Sequence, residues 1–299
     1  MPIDEREQDN RVLRTLIITA LTETGRSRDA VYEKIGEFYY FNAPKYLYKY
    51  YSENQLNLDT IKKHEMWYSA PCNFNDAFDC DISINEKALF ECFLKEASQE
   101  RRIRQGSSGW MNLKGVVHKQ IHNLQEEFEE TKRTTGISCL SESDSSLLMW
   151  AHYANNHKGM CVEYELLKIS NQLKFTPVPV IYTNDRVTLS SLESENLDRD
   201  TMKIFVESIT TKSSEWNYEK EWRIIRDEAA CGTRWNKADK GALLEMIRPT
   251  SITLGCRAEG DFEKSVREYC EKEKVTLYKM EKNKDKYQLD KKVLMKFSE

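Results

Sequence analysis

Over the first forty positions apolar side chains recur every three to four residues: Val12, Ile17, Ile18 and Leu21, then Val31, Ile35, Phe38 and Tyr39. That spacing predicts two amphipathic helices. Thr24-Gly25 and Ser27-Arg28-Asp29 separate them, with Ser27 or Asp29 placed to cap the second. Asn42-Ala43-Pro44 closes the segment, so residues 1–44 read as a helical N-terminal extension. From 45 to 299 the pattern is that of a core domain with a charged tail. The aromatic runs LYKYYS (47–52) and MWYS (66–69) predict strands. Between them Asn54 and Asn57 lead into a short helix over 58–65, and a loop dense in Asn and Asp follows over 70–84.

Residues 86–135 read as helices. Ala88, Leu89, Cys92 and Phe93 share one face, 105–109 breaks the chain, and Val116, Val117, Ile121, Leu124 and Phe128 mark a second helix. Further strands are expected at 137–140, 160–164, 178–183, 221–226 and 275–280, with one in 247–254 interrupted by Pro249. Short helices are expected at 147–154, 202–211 and 262–270. In the tail, Leu289, Val293, Leu294 and Phe297 offer a small apolar face. The order is α+β. Strict βαβ alternation is absent, which argues against a doubly wound parallel sheet, and no internal repeat occurs.

Composition narrows the function. At about 150 residues per domain, 299 residues suggest two domains; the motifs below instead spread over one. Mean hydropathy is −0.70, yet 11% aromatic residues supply the apolar area for a core. Eleven glycines in no phosphate-loop pattern exclude the common Gly-rich nucleotide folds. A net charge of −4 with interspersed signs offers no global basic field for nucleic acid. No apolar run is long enough for a membrane helix. The apolar stretch 13–21 is preceded by acids, unlike a signal peptide. Eight scattered cysteines without a CxxC suit reduced thiols and a cytoplasmic setting.

Candidate chemistry is sparse. His118 and His122 share a helix face but lack a nearby acid or thiol, so a solvated face is the better reading than zinc. His152 and His157 sit at a helix end and turn, where imidazoles commonly bond backbone. Asn75, Asp76, Asp79 and Asp81 fail calcium-loop spacing and suit loop-folding turns. A metal-dependent hydrolase using this loop, or Asn75 beside a ligand, stays open as an alternative. Cys139 and Cys161 lie in apolar strands that disfavour the thiolate. The strongest signal is YEKEWR (218–223). Period two points Glu219 and Glu221 to one face at the mouth of an apolar strand, suited to a ribose hydroxyl or a cationic sugar-like transition state. A surface ion-pair ladder with Lys220, Arg223 and Arg226 explains the same residues.

Taken together, YKYYS, WYSAPCNFNDAFD, ISCLSES, MWAHYANNHKGMCVEYE and EKEWRII resemble a bacterial family of unknown function, number 2971 among such domains, over roughly residues 45–280. More distantly, the order of parts is similar to the DarT-like branch of the ADP-ribosyltransferase fold. LYKYYSENQLNLDTI resembles its opening, with Lys49 where that branch has a nicotinamide-contacting His. ISCLSES resembles its second motif, which puts Ser141 near the ribose, and IYTND resembles its tyrosine-threonine strand. Glu221 takes the position of the catalytic Glu, and Glu219 completes an E-x-E.

This resemblance implies a single mixed or antiparallel sheet of ADP-ribosyltransferase-like type with helical insertions. It implies NAD+ as substrate, without a metal, and ADP-ribose transfer to a protein or nucleic-acid acceptor, as a toxin or phage-defence effector. Lys49, Tyr50, Tyr68, Ser141, Trp150, His152 and Tyr153 are then the nucleotide-binding set, with Tyr50, Tyr68 or Trp150 stacking on nicotinamide. Asn75, Asp76 and Arg223 are ancillary. A non-catalytic nucleotide- or nucleic-acid-binding module on the same fold is the rival. The N-terminal helices are candidates for a homodimer contact, and no membrane partner is expected.

Overall fold

An eleven-stranded mixed sheet is the spine of the molecule. The computed structural model describes residues 5–100, 102–173, 176–190 and 197–297. Its helices are α1 (Glu5–Thr22), α2 (Gly25–Phe41), α3 (Gln55–Lys62), α4 (Glu86–Glu100), α5 (Ser108–Thr134), α6 (Leu147–His152), α7 (Leu166–Leu173), α8 (Leu197–Ile209), α9 (Glu228–Cys231) and α10 (Gly260–Glu273). The strands in the first half are β1 (Tyr46–Tyr51), β2 (Glu65–Ser69), β3 (Ser83–Ile84), β4 (Thr135–Ser141) and β5 (Met160–Glu165). In the second half they are β6 (Val178–Pro179), β7 (Ile181–Thr183), β8 (Thr188–Leu189), β9 (Thr211–Ser213), β10 (Glu221–Asp227), β11 (Trp235–Asn236), β12 (Gly241–Glu245), β13 (Ser251–Leu254), β14 (Thr276–Lys282) and β15 (Leu289–Met295).

The main sheet runs β11-β12-β2-β4-β1-β5-β13-β14-β15, with β10 paired to β4 and β6 to β10. It is antiparallel except for β13–β14. Two small parallel pairs, β3–β8 and β7–β9, stand outside it. Alternation along β10 sets the layers. Trp222 and Ile224 enter the main core with Leu140, Val162 and Met160, while Glu221 and Arg223 take the other face. The same core contains Leu13, Ile17 and Ala20 of α1 and Ile35, Phe38 and Tyr39 of α2. A satellite core joins α4 and α5 through Leu89, Leu113, Val117 and Ile121. Among the described residues, no helix is long and apolar enough to cross a membrane.

Several local expectations are corrected. Helix α2 starts at Gly25, whose φ of +60° turns the chain sharply, and Thr24 precedes it as N-cap; Ser27 and Asp29 are exposed within the helix. On α1 the buried stripe is Leu13, Ile17 and Ala20, whereas Val12 and Leu21 face outward. The expected strand 178–183 is divided, because Val180 donates to the Glu221 carbonyl and turns the chain from β10 toward β9. Pro249 precedes β13 rather than interrupting it. The segment 235–245 supplies two strands that the pattern did not reveal, and the tail is an edge strand against β14. Helix α3 begins and ends three residues before the expected 58–65: Asn54 is its N-cap, accepting from the Asn57 amide at 2.7 Å, and Asn57 lies inside it.

Gly159 lets the turn before β5 lie against β1. A Cβ there would stand 2.0 Å from the Tyr51 carbonyl oxygen. Backbone on both sides leaves little room to relax, so Gly159→Ala should cost about 3 kcal/mol, read as a lowered midpoint in chemical denaturation.

Candidate active-site cleft

Strand β4 is where the sheet forks. β10 runs antiparallel along its whole length, from Glu221↔Ser141 to Asp227↔Thr135. The other edge is shared: β2 touches it at Ser69↔Ile137 and β1 at Tyr48↔Ser141. Between these points Lys49 donates to the Cys139 carbonyl at 2.8 Å and to Ser138 Oγ at 3.3 Å. The fork opens into a cleft of about 220 Å³. Its walls are aromatic: Tyr48 and Tyr50 from β1, Trp67 from β2, Phe74 from the Asn/Asp loop and Tyr153 after α6. Lys49, Asp79, Ser141, Lys212, Glu219 and Glu221 complete the lining.

The two glutamates arrive from different structures. Glu219 is the last residue of a short 3-10 helix over Ser214–Glu219, and Glu221 is the first of β10. Lys220 between them is left-handed, with φ 44°. Both carboxylates therefore share the cleft because of a turn, not because of period two within a strand. The turn is held from several sides. Ser141 Oγ donates to the Glu219 carbonyl at 2.6 Å, the Glu142 amide donates to the Lys220 carbonyl at 3.0 Å, and the Glu221 amide donates to the Tyr182 hydroxyl at 2.8 Å. A β-branched side chain is poorly tolerated in this conformation. Lys220→Val should cost about 1–2 kcal/mol and Lys220→Gly close to nothing in urea unfolding.

Beneath the cleft lies a buried ionic cluster. Arg223, wholly inaccessible to solvent, donates to both oxygens of Asp79 (2.8 and 2.7 Å), to Glu221 Oε1 (2.8 Å) and to the Ile209 carbonyl (2.8 Å). Lys212 Nζ stands 2.7 Å from Glu219, 3.3 Å from Glu221 and 3.4 Å from Asp79. The Tyr153 hydroxyl donates to the second oxygen of Glu219.

These contacts drive the two carboxyls apart. Burial opposes ionisation of Glu221, but Arg223 and Lys212 outweigh it and hold the group below the ordinary carboxylate range. Burial and the neighbouring charge of Glu221 push Glu219 up. Burial lowers the proton affinity of Lys49 and raises that of the Cys139 thiol, which hydrogen-bonds Glu221. Lys212 is the opposite case: burial disfavours its charge, but Glu221, Asp79 and Glu219 together raise its proton affinity.

A model of the family described as "Protein of unknown function (DUF2971)" matches residues 149–224. Over that stretch the chain is similar to that family. The matched stretch runs from α6 into β10 and so carries Tyr153, Lys212, Glu219, Glu221 and Arg223. No curated protein and no solved structure matches the chain.

Of the residues singled out from the sequence, Lys49, Tyr50, Asn75, Ser141, Tyr153, Glu219 and Glu221 line the cleft together. Tyr68 does not. Period two in β2 turns Trp67 and Ser69 to the cleft and Tyr68 to the core. Trp150 is fully buried behind the wall, edge-on to Tyr50 at 5.2 Å, with its indole N–H donating to the Asp144 carbonyl at 2.7 Å. His152 is exposed at the end of α6, its ring 6.1 Å from that of Tyr218. Asp76 folds its own loop by accepting from the Phe78 amide at 2.9 Å. Arg223 is neither in the cleft nor on a surface ladder; it anchors Glu221 from behind.

Sequence reasoning missed Lys212, and it read Asp79 as a loop-folding residue. Lys212 sits in a polar three-residue strand with no periodic signal, and Asp79 meets Arg223 across 144 positions. Among the described residues, no group of three or more His, Cys, Asp or Glu is placed to hold a metal ion. The Lys212 ammonium already stands among the three carboxylates.

Proposed function

We propose that the cleft binds a nicotinamide dinucleotide such as NAD+ and cleaves its nicotinamide–ribose bond, an ADP-ribosyltransferase-like activity. The observation that carries this reading is the Glu219/Glu221 pair. Two adjacent carboxyls of opposite proton affinity open into an aromatic-walled cleft, the usual mark of divided acid–base and electrostatic roles. The charge balance fits as well. Asp79, Glu219 and Glu221 face Lys212 and Arg223 as the strongly held cations, and Lys49 is placed where burial weakens its charge. Such a floor, under aromatic walls, favours a ligand that carries or develops positive charge.

The chemistry follows. A pyridinium ring stacks on the aromatic walls. As the glycosidic C–N bond breaks, its electron pair leaves with nicotinamide and the sugar carbon becomes cationic. Glu221, kept ionised, bonds a ribose hydroxyl and offsets that charge. The acceptor nucleophile, or water, then forms the new bond to the sugar carbon and gives its proton to Glu219.

The pH dependence is specific. Glu219 must be ionised to take the proton, so nicotinamide release should rise with pH through a midpoint above the ordinary Glu value of about 4.3. Tyr153→Phe removes a donor that favours the ionised form of Glu219. A pH–rate profile should therefore show its midpoint moved upward. Titration calorimetry with NAD+ beside a nicotinamide-release assay tests the reading directly. Turnover insensitive to EDTA supports it, and binding without release favours the non-catalytic module.

A further inference from the structure

A second cavity of about 520 Å³ lies between the start of α6, the turn that precedes β5, the residues after β13 and the β14–β15 hairpin. Arg257, Lys282, Lys284 and Lys286 line it together with His157, and among the described residues Asp285 is the single acid in the lining. None of the four cations is ion-paired among the described residues. On a chain of net charge −4 this is a concentrated reversal of sign.

The cavity is built rather than incidental. Asn283 Oδ1 accepts from the amides of Asp285 (2.9 Å) and Lys286 (2.8 Å), and its Nδ2 donates to Asp290 at 2.7 Å. The hairpin tip that carries Lys284 and Lys286 is thereby fixed. On the opposite wall Asn155, Asn156 and His157 are three successive left-handed residues, a costly conformation that places the imidazole. His157 Nδ1 is buried there without a hydrogen-bond partner. The His157 ring lies parallel to that of Trp150 at 6.5 Å.

We infer that this cavity binds a phosphate-bearing anion. Four cations without ion-pair partners around one cavity, two of them on a hairpin tip fixed by Asn283, suit phosphoryl oxygens, which accept several charge-assisted hydrogen bonds at once. The inference stands apart from the cleft's proposed activity.

The experiment is calorimetric titration of the full chain with inorganic tripolyphosphate, beside the double variant Lys284→Gln/Lys286→Gln. Both side chains are exposed, so the fold is not at risk. The wild-type chain should bind, and the variant should bind about tenfold more weakly for each lysine–phosphate hydrogen bond removed. ATP bound with the same weakening in the variant identifies a nucleotide as the source; tripolyphosphate bound without ATP identifies a free oligophosphate. Equal affinity in wild type and variant overturns the inference. So does binding of a single-stranded oligonucleotide without tripolyphosphate, which assigns the surface to nucleic acid.

Discussion

Arg223→Ala should destabilise the protein by about 3–5 kcal/mol, the cost of breaking a buried ion pair from one side. The guanidinium is fully buried, and its donors go to Asp79, Glu221, the Ile209 carbonyl and Cys80 Sγ. Truncation leaves Asp79 and Glu221 in the interior with Lys212 as the remaining ion-pair partner. For a chain of this size the thermal midpoint should fall by roughly 10 °C. The effect carries a pH signature. In the native protein Glu221 is held below its ordinary value, so its stabilising contribution is present above about pH 4.3 and fades as pH falls through the folded-state value. The gap between wild type and Arg223→Ala should therefore be widest near neutrality and shrink in acid. Replacing the pair together, Arg223→Met with Asp79→Leu, should recover much of the stability, because the penalty is an unpaired charge rather than a missing attraction. A single-variant effect within 1 kcal/mol, an order-of-magnitude threshold set by exposed pairs, would place the cluster in contact with solvent.

Glu221→Gln should lower nicotinamide release about 10²–10³-fold, the typical effect of removing one preorganised electrostatic partner of a transition state. The fold should survive this change. With Glu221 neutral, Asp79 and Glu219 still face Lys212 and Arg223, so the charges balance. The decrease should appear in kcat with little change in KM, since the interaction is strongest when the sugar carries positive charge. Chromatographic measurement of nicotinamide, alongside a thermal midpoint within a few degrees of wild type, checks both halves. Unchanged release in Glu221→Gln would remove the enzymatic reading while leaving the phosphate site standing.

How much of the cleft was legible depended on range. Where a neighbour two positions away decides the outcome, the sequence sufficed. Period two along β10 separates Trp222 and Ile224, in the core, from Glu221 and Arg223 on the other face. The same rule, applied to MWYS, would have chosen Trp67 over Tyr68 had the inner face of β2 been known; alternation sets which residues travel together, not which set faces inward. Glu219 and Glu221 were paired correctly for an incomplete reason, because a left-handed Lys220 at the end of a 3-10 turn brings them together.

The chain by itself determined the α+β class, the two N-terminal helices and the nomination of the two glutamates, because each rests on spacing of a few residues. The tertiary structure decided the rest. It alone placed Lys212 and Asp79 beside Glu221, inserted Lys49 into the fork on β4, and converted a suspected surface ladder into a buried cluster. The physical reason is that sheet pairing joins positions more than a hundred residues apart, and burial then multiplies the energy of every charge it encloses.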